Sequence, residues 1–279
     1  MFNIHYSYSC CGVLSSYKNF IIMKQFYFFL VCLFAAINMN AEDLITKQIT
    51  IKLEKAGTLS DRIGSTRKYQ LTNLKIVGEI NGSDVSIMRD MTGANGVGNL
   101  ENLDLSEAKV VEGGASYYRD VNRNLYTEKN VIGEYFFYAC PKLKTIILPL
   151  DVTFISSEAF SYCSSLTSVT IPSSVTRIGW RAFYGCRSLK TLTIPSSVTD
   201  IDNNAFENCS GLTNITLPLG ITLIESDTFS GCSGLSSVTI PSSVKRIWRG
   251  AFWGCSSLTT ITIPSSVIFI GDYAFQDCI

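Results

Sequence analysis

The sequence predicts a β-rich solenoid of 23-residue coils, built from short parallel strands and short helical turns and preceded by an irregular N-terminal cap. Three observations carry this prediction. Cys140, Cys163, Cys186, Cys209, Cys232, Cys255 and Cys278 follow one another at 23-residue steps without an insertion. The same step carries the phenylalanines from Phe137 to Phe275 and the prolines from Pro149 to Pro264. Several apolar positions recur in each unit, the mark of an array whose units bury their apolar faces only against their neighbours. At 279 residues, 46% hydrophobic and 16% charged, the chain holds enough apolar material for such a continuous core.

From the N-terminus, residues 1–22 show no periodicity and read as an upstream extension. Residues 23–41, MKQFYFFLVCLFAAINMNA, combine a lysine, an apolar run from Phe26 to Ile37 and a polar end, the layout of a secretory signal peptide too short to span a bilayer. Cleavage is expected near Ala41, giving an exported chain without a membrane span. Residues 42–132 read as the cap: LTNLKIVGEINGSDV at 71–85 and LENLDLSEAKV at 100–110 are degenerate repeats, with a longer step of 29 from Leu71 to Leu100. Irregular end repeats are expected because one side of them faces water. Residues 133–279 form the regular array, which stops at Ile279 before another strand begins; that open coil edge calls for a continuation or a partner.

Within one unit, Leu166, Val169 and Ile171 fall in L-x-x-V-x-I-P, a short strand with one face inward, closed by Pro172. Serines follow as a turn. Val175 and Ile178 make a second short run, and A-F-x-x-C is expected as a compact helical turn that buries Phe183 and Cys186. The in-phase cysteines read as a reduced core ladder, since side chains stacked in one direction do not face each other and a buried free cysteine packs as a small apolar group.

The stretch LTSVTIPSSVTRIGWRAFYGC at 166–186 resembles the BspA-like, or treponemal-type, leucine-rich repeat L-x-x-I-x-I-P-x-x-V-x-x-I-G-x-x-A-F-x-x-C. The likeness runs from residue 133 onward. Asp202, Glu225 and Trp248 depart from it at the glycine, and Thr228 at the alanine. The resemblance implies a secreted or surface-exposed protein of host-associated microbes, acting in adhesion or protein interaction.

Other functions are disfavoured by composition. Lys plus Arg and Asp plus Glu both number 23, and removal of residues 1–41 takes away Lys18 and Lys24, leaving 21 minus 23, or −2. No basic field draws nucleic acid or anionic lipid. The only histidine, His5, leaves with the same segment, and no phosphate-binding glycine loop is present, so no catalytic residue is expected. A linear cysteine ladder does not converge on a metal, and no cofactor or metal is expected. The column Thr170, Thr193, Thr216, Thr239 and Thr262 is what duplication of one solvent-facing strand position produces.

Recognition is expected where the copies differ. The segment after the second run reads SSE, GWR, DNN, ESD, WRG and GDY in successive units. It and the positions just beyond hold all three tryptophans, Trp180, Trp248 and Trp253, with Arg181, Tyr184, Arg246, Arg249 and Tyr273 beside them. Aromatic and arginine side chains concentrate interface energy, so these eight residues are the expected partner-binding ridge. The partner expected is an extracellular protein of host or bacterial origin, with a glycan as the alternative because the same rings stack on sugars. A spacer role in a longer surface protein is the third reading.

Overall fold

The computed structural model describes residues 44–278. The expected upstream extension, 1–22, and signal peptide, 23–41, lie outside the described residues. The N-terminal part forms β1 (Ile49–Leu53), α1 (Leu59–Ile63), β2 (Asn73–Ile80), α2 (Gly82–Met91) and β3 (Asn102–Val110), followed by the antiparallel hairpin of β4 (Gly113–Arg119) and β5 (Asn124–Thr127). The degenerate repeats are coils of a parallel sheet. Asn73 pairs with Asn102, which repeats the longer step seen in the sequence, and Asn102 pairs in turn with Thr145 of the first regular unit. The side chains of these three residues are hydrogen-bonded in a row, Asn102 donating to Asn73 at 2.6 Å and Thr145 to Asn102 at 2.7 Å. That row satisfies polar groups along the sheet.

Regular coils then stack in parallel. One sheet face is made by β7 (Thr145–Ile147), β9 (Ser168–Thr170), β12 (Asn214–Thr216) and β14 (Ser237–Thr239). The other is made by β6 (Val131–Ile132), β8 (Phe154–Ile155), β10 (Arg177–Ile178), β11 (Asp200–Ile201), β13 (Leu223–Ile224), β15 (Arg246–Ile247) and β16 (Phe269–Ile270). Partners are one repeat apart, as in Ile146 with Val169 and Arg177 with Asp200. Between the two faces the rings of Phe137, Phe160, Phe183, Phe206, Phe229, Phe252 and Phe275 stack with centroids 5.2–5.6 Å apart. The seven array cysteines are free, all but Cys278 fully buried. They do more than fill space: each thiol from Cys163 to Cys278 donates to the carbonyl of a phenylalanine one coil back, at 3.0–3.2 Å. Burial pushes the Cys209 and Cys255 thiols up to about 12, which keeps them protonated and unreactive.

One expectation is corrected. The A-F-x-x-C segment is a run of tight turns and not a helical turn. Its backbone enters the left-handed region twice per coil, as at Arg181 (φ 52) and Gly185 (φ 70), or Asn204 (φ 59) and Asn208 (φ 60). Those reversals prevent helical continuation, and alternate N–H groups point along the stack. Arg181, Phe183 and Gly185 donate to the carbonyls of Asn203, Ala205 and Glu207 in the next coil, while Ala182, Tyr184 and Cys186 bond three residues back. The same triplet links every successive pair of coils from Tyr135 to Gln276. This turn ladder is the unbroken spine of the array.

The strand ladders, by contrast, are interrupted. The coil after β9 contributes only the single bridge Thr191 to Asn214, and there Leu192 stands where the neighbouring coils carry β-branched Ile146, Val169, Ile215 and Val238. On the other face β11 and β13 do not pair. That break falls where consecutive coils both replace the repeat's glycine with an acid, Asp202 and Glu225. At Gly179, which keeps the glycine, a Cβ would lie 2.9 Å from the Ser156 carbonyl carbon of the preceding coil. Bulk alone does not break the ladder, since Trp248 also replaces this glycine and its N–H still bonds the Ile224 carbonyl at 2.8 Å; like charge opposes close approach of Asp202 and Glu225.

Candidate binding surface

The expected ridge side chains all come from the turn segments or the β15 strand beside them, so the turn ladder fixes their spacing. They do not form one strip. Trp180, Arg181 and Tyr184 meet: the Arg181 guanidinium lies 4.6 Å from the Trp180 ring centre and 4.8 Å from that of Tyr184. Three coils further on, Arg246 lies 5.9 Å over Trp248, and Arg249 lies 5.6 Å over Tyr273. Trp253 donates its indole N–H to Asp277 at 2.9 Å. Trp180 and Trp253 are 39% and 47% exposed, open enough for a partner to cover. Trp248 is different. It is half-buried, packs on Phe269 with centroids 5.3 Å apart, and has a buried indole N–H without a partner among the described residues.

The coils between the two clusters carry acids. Asp202 is paired with Arg177 at 2.8 Å. Burial raises the Glu225 carboxyl pKa, and the neighbouring Asp202 and Asp200 add to the shift. Burial likewise raises Glu207, with Asp227 adding, against the opposing hydrogen bond from Asn204 and the charge of Arg181. A buried acid with a raised pKa holds its proton more tightly folded than unfolded. Its contribution to stability is therefore complete below the ordinary value of 4.5 and is lost as pH rises through the raised folded value. Glu207→Gln keeps the shape without the charge. The melting-temperature difference between this variant and the parent is expected to be near zero at about pH 4 and to grow in the variant's favour toward about pH 7. A difference that stays flat across this range overturns the assignment.

Upstream of Tyr184 the edge continues in a row of tyrosines that sequence reasoning missed. Tyr184 meets Tyr162 edge-on at 5.1 Å, Tyr162 meets Tyr138 at 5.7 Å, and Tyr138 meets Tyr135 at 5.1 Å and Tyr118 at 5.9 Å. Tyr138 and Tyr184 directly follow the core phenylalanines, while Tyr162 is two positions after Phe160. Tyr138 and Tyr184 are in phase, but Tyr162 lies one position out of it, and the left-handed backbone there (φ 60) accompanies its ring's place in the row.

With this geometry in place, the comparisons agree on the class of protein. Residues 130–259 match the BspA type leucine rich repeat region, in six copies. A leucine rich cell surface protein from Faecalibacterium prausnitzii A2-165 is similar at 36% identity over 65% of this chain and 46% of its own, with a TM-score of 0.53. A Treponema pallidum leucine rich repeat protein is 31% identical over 50% of this chain and 66% of its own, TM-score 0.47. A leucine-rich repeat protein from Bacteroides ovatus ATCC 8483 is 28% identical over 57% of this chain and 47% of its own, TM-score 0.45. The chain thus spans less than two thirds of the length of each of these relatives. No curated protein matches it. Among the described residues, no helix is long and apolar enough to cross a membrane.

Proposed function

We propose that the protein is an exported, non-enzymatic cell-surface binding protein that engages an extracellular protein of host or bacterial origin through the aromatic–arginine edge of its coil stack. The single observation behind this reading is the Trp180–Arg181–Tyr184 cluster. It sets an exposed indole, a guanidinium between two rings, and a tyrosine on a backbone held by three hydrogen bonds to the next coil. Rings and an arginine fixed before binding lose little freedom on contact, which is what makes such residues dominate interfaces. The cell-surface location of the similar F. prausnitzii protein supports the placement.

The test is binding to immobilised extracellular-matrix proteins and polysaccharides, with Trp180→Ala and Trp253→Ala measured separately. Because both indoles are exposed, each variant is expected to melt close to the parent. Trp180→Ala is expected to weaken binding about 30-fold, the effect of losing one interface hot spot. Saturable protein binding indifferent to both substitutions sinks the proposal. Saturable polysaccharide binding with quenching of tryptophan fluorescence moves the assignment to a glycan.

A further inference from the structure

The N-terminal part holds a pocket at the far end of the tyrosine row, away from the Trp180 cluster. It is an opening of about 450 Å³ between the second half of α2, the following turn, β4 and the first regular coil, lined by Arg89, Asp90, Asn95, Tyr118, Arg119 and Tyr138. That volume suits a ligand of one sugar ring or two.

Its floor is an arginine with an unbalanced charge. Arg89 is only 8% exposed. One of its nitrogens, Nη1, donates to the Tyr135 carbonyl at 2.7 Å and to that of Phe136 at 3.3 Å, which anchors the side chain. Nε and Nη2 donate to nothing among the described residues, and no carboxylate there lies within ion-pairing distance. The Tyr118 ring lies under the guanidinium at 5.2 Å. Asp90, the one acid of the lining, is already held by Lys68 at 3.5 Å and by the Asn95 amide. The neighbouring Glu134 and Asp120 are taken by Arg123. A buried guanidinium is normally paired with an anion, and here the free part of its donor fork opens onto a pocket. A bidentate carboxylate fits that fork.

The rest of the lining says what bears the carboxylate. Tyr118, with Tyr135 stacked on its ring at 4.6 Å and Arg89 over it at 5.2 Å, offers a ring edge, and Tyr138 stands edge-on beside it, while Asn95, Ser86 and Ser116 offer small donors and acceptors. Rings with dispersed polar groups recognise a polyhydroxylated ring, whereas a simple dicarboxylate would leave both unused. We infer that this pocket binds a carboxylate-bearing sugar residue, a uronic or sialic acid, with the carboxylate on Arg89 and Arg119 and the sugar hydroxyls and ring against Tyr138 and the edge of Tyr118. The inference is independent of the edge: the pocket would stand if the Trp180 test failed.

The test is calorimetric titration of the protein with glucuronic acid, N-acetylneuraminic acid, glucose and succinate. At least one acidic sugar is expected to bind about ten-fold or more tightly than both glucose and succinate. Arg89→Gln, checked for an unchanged melting curve, is expected to remove this preference. Arg89 also holds two carbonyls, so Ala94→Trp serves as the second variant: it fills the rim, leaves every charge in place, and is expected to abolish binding. Equal affinity for glucose, equal affinity for succinate, no binding by either acidic sugar, or binding that survives Ala94→Trp overturns the inference.

Discussion

Phe206→Ala is expected to destabilise the array by about 3–5 kcal/mol and to divide its unfolding into two steps. The Phe206 ring is fully buried and lies 5.5 Å from Phe183 on one side and 5.5 Å from Phe229 on the other, so its removal leaves a cavity that two stacked rings cannot close. Location sharpens the effect. Next to this coil the strand ladder between β11 and β13 is missing, and the other face is reduced to the Thr191–Asn214 bridge. Apart from that bridge, the two halves are joined here by the turn ladder, the phenylalanine stack, the Thr213 to Lys190 hydrogen bonds and the Cys232 thiol on the Phe206 carbonyl. A repeat array behaves as a chain of nearest-neighbour interfaces, and it separates first at its weakest one. Phe160→Ala, flanked by strand pairing on both faces, is the control: its loss is expected to be of similar chemical size but to leave a single transition. Denaturant melts followed by amide exchange on either side of residue 206 report the difference. A single, coincident transition in Phe206→Ala would show that the strand breaks carry no mechanical weight.

This weak point was not legible in the sequence, although the repeat around it was. The coil length, the buried leucines, phenylalanines and cysteines, and the strand positions all follow from a period with no insertion, because burial in a stack demands the same residue type at the same step. Even the 29-residue step of the degenerate repeats reappears as the Asn73–Asn102 register. Backbone sign escaped. Arginine, glutamate and tyrosine take φ near +50 to +60 in the turns because the inter-coil ladder holds them there, and side-chain type alone gives no warning. The ridge was found as a list of residues and not as an arrangement. Arg181 with its two rings was legible from adjacency, whereas the half-burial of Trp248 depends on Phe269 in the next coil. Trp248→Ala consequently tests packing as much as binding, and Trp180 is the cleaner probe. Arg89 lay in a region with no second copy to compare, so nothing marked it until its donors and its missing partner were seen together.

Asp84→Ala is expected to cost about 3 kcal/mol or more, with the damage confined at first to the N-terminal part. Asp84 is wholly buried, and its carboxylate takes three backbone donors: Gly57 at 2.6 Å and Asn81 at 3.0 Å on one oxygen, Leu59 at 2.9 Å on the other. It closes the capping box of α2 while Asn81 accepts from Ser83, and it ties the start of α1 to the same point. Alanine leaves three N–H groups without their acceptor, one of them buried at Leu59 and two part-buried at Gly57 and Asn81, and a buried orphaned donor carries a penalty of about 1–3 kcal/mol. Asparagine does not rescue it, because turning its NH2 toward donors replaces attraction with repulsion on one side. Amide exchange at Gly57, Leu59 and Asn81 is expected to accelerate strongly in both variants, while amides of the turn ladder beyond Ala159 keep their protection. Exchange that rises equally along the whole chain would mean that the N-terminal coils and the array unfold as one unit. Because α2 also carries Arg89, loosening its first turn is expected to weaken acidic-sugar binding without touching any residue that lines the pocket.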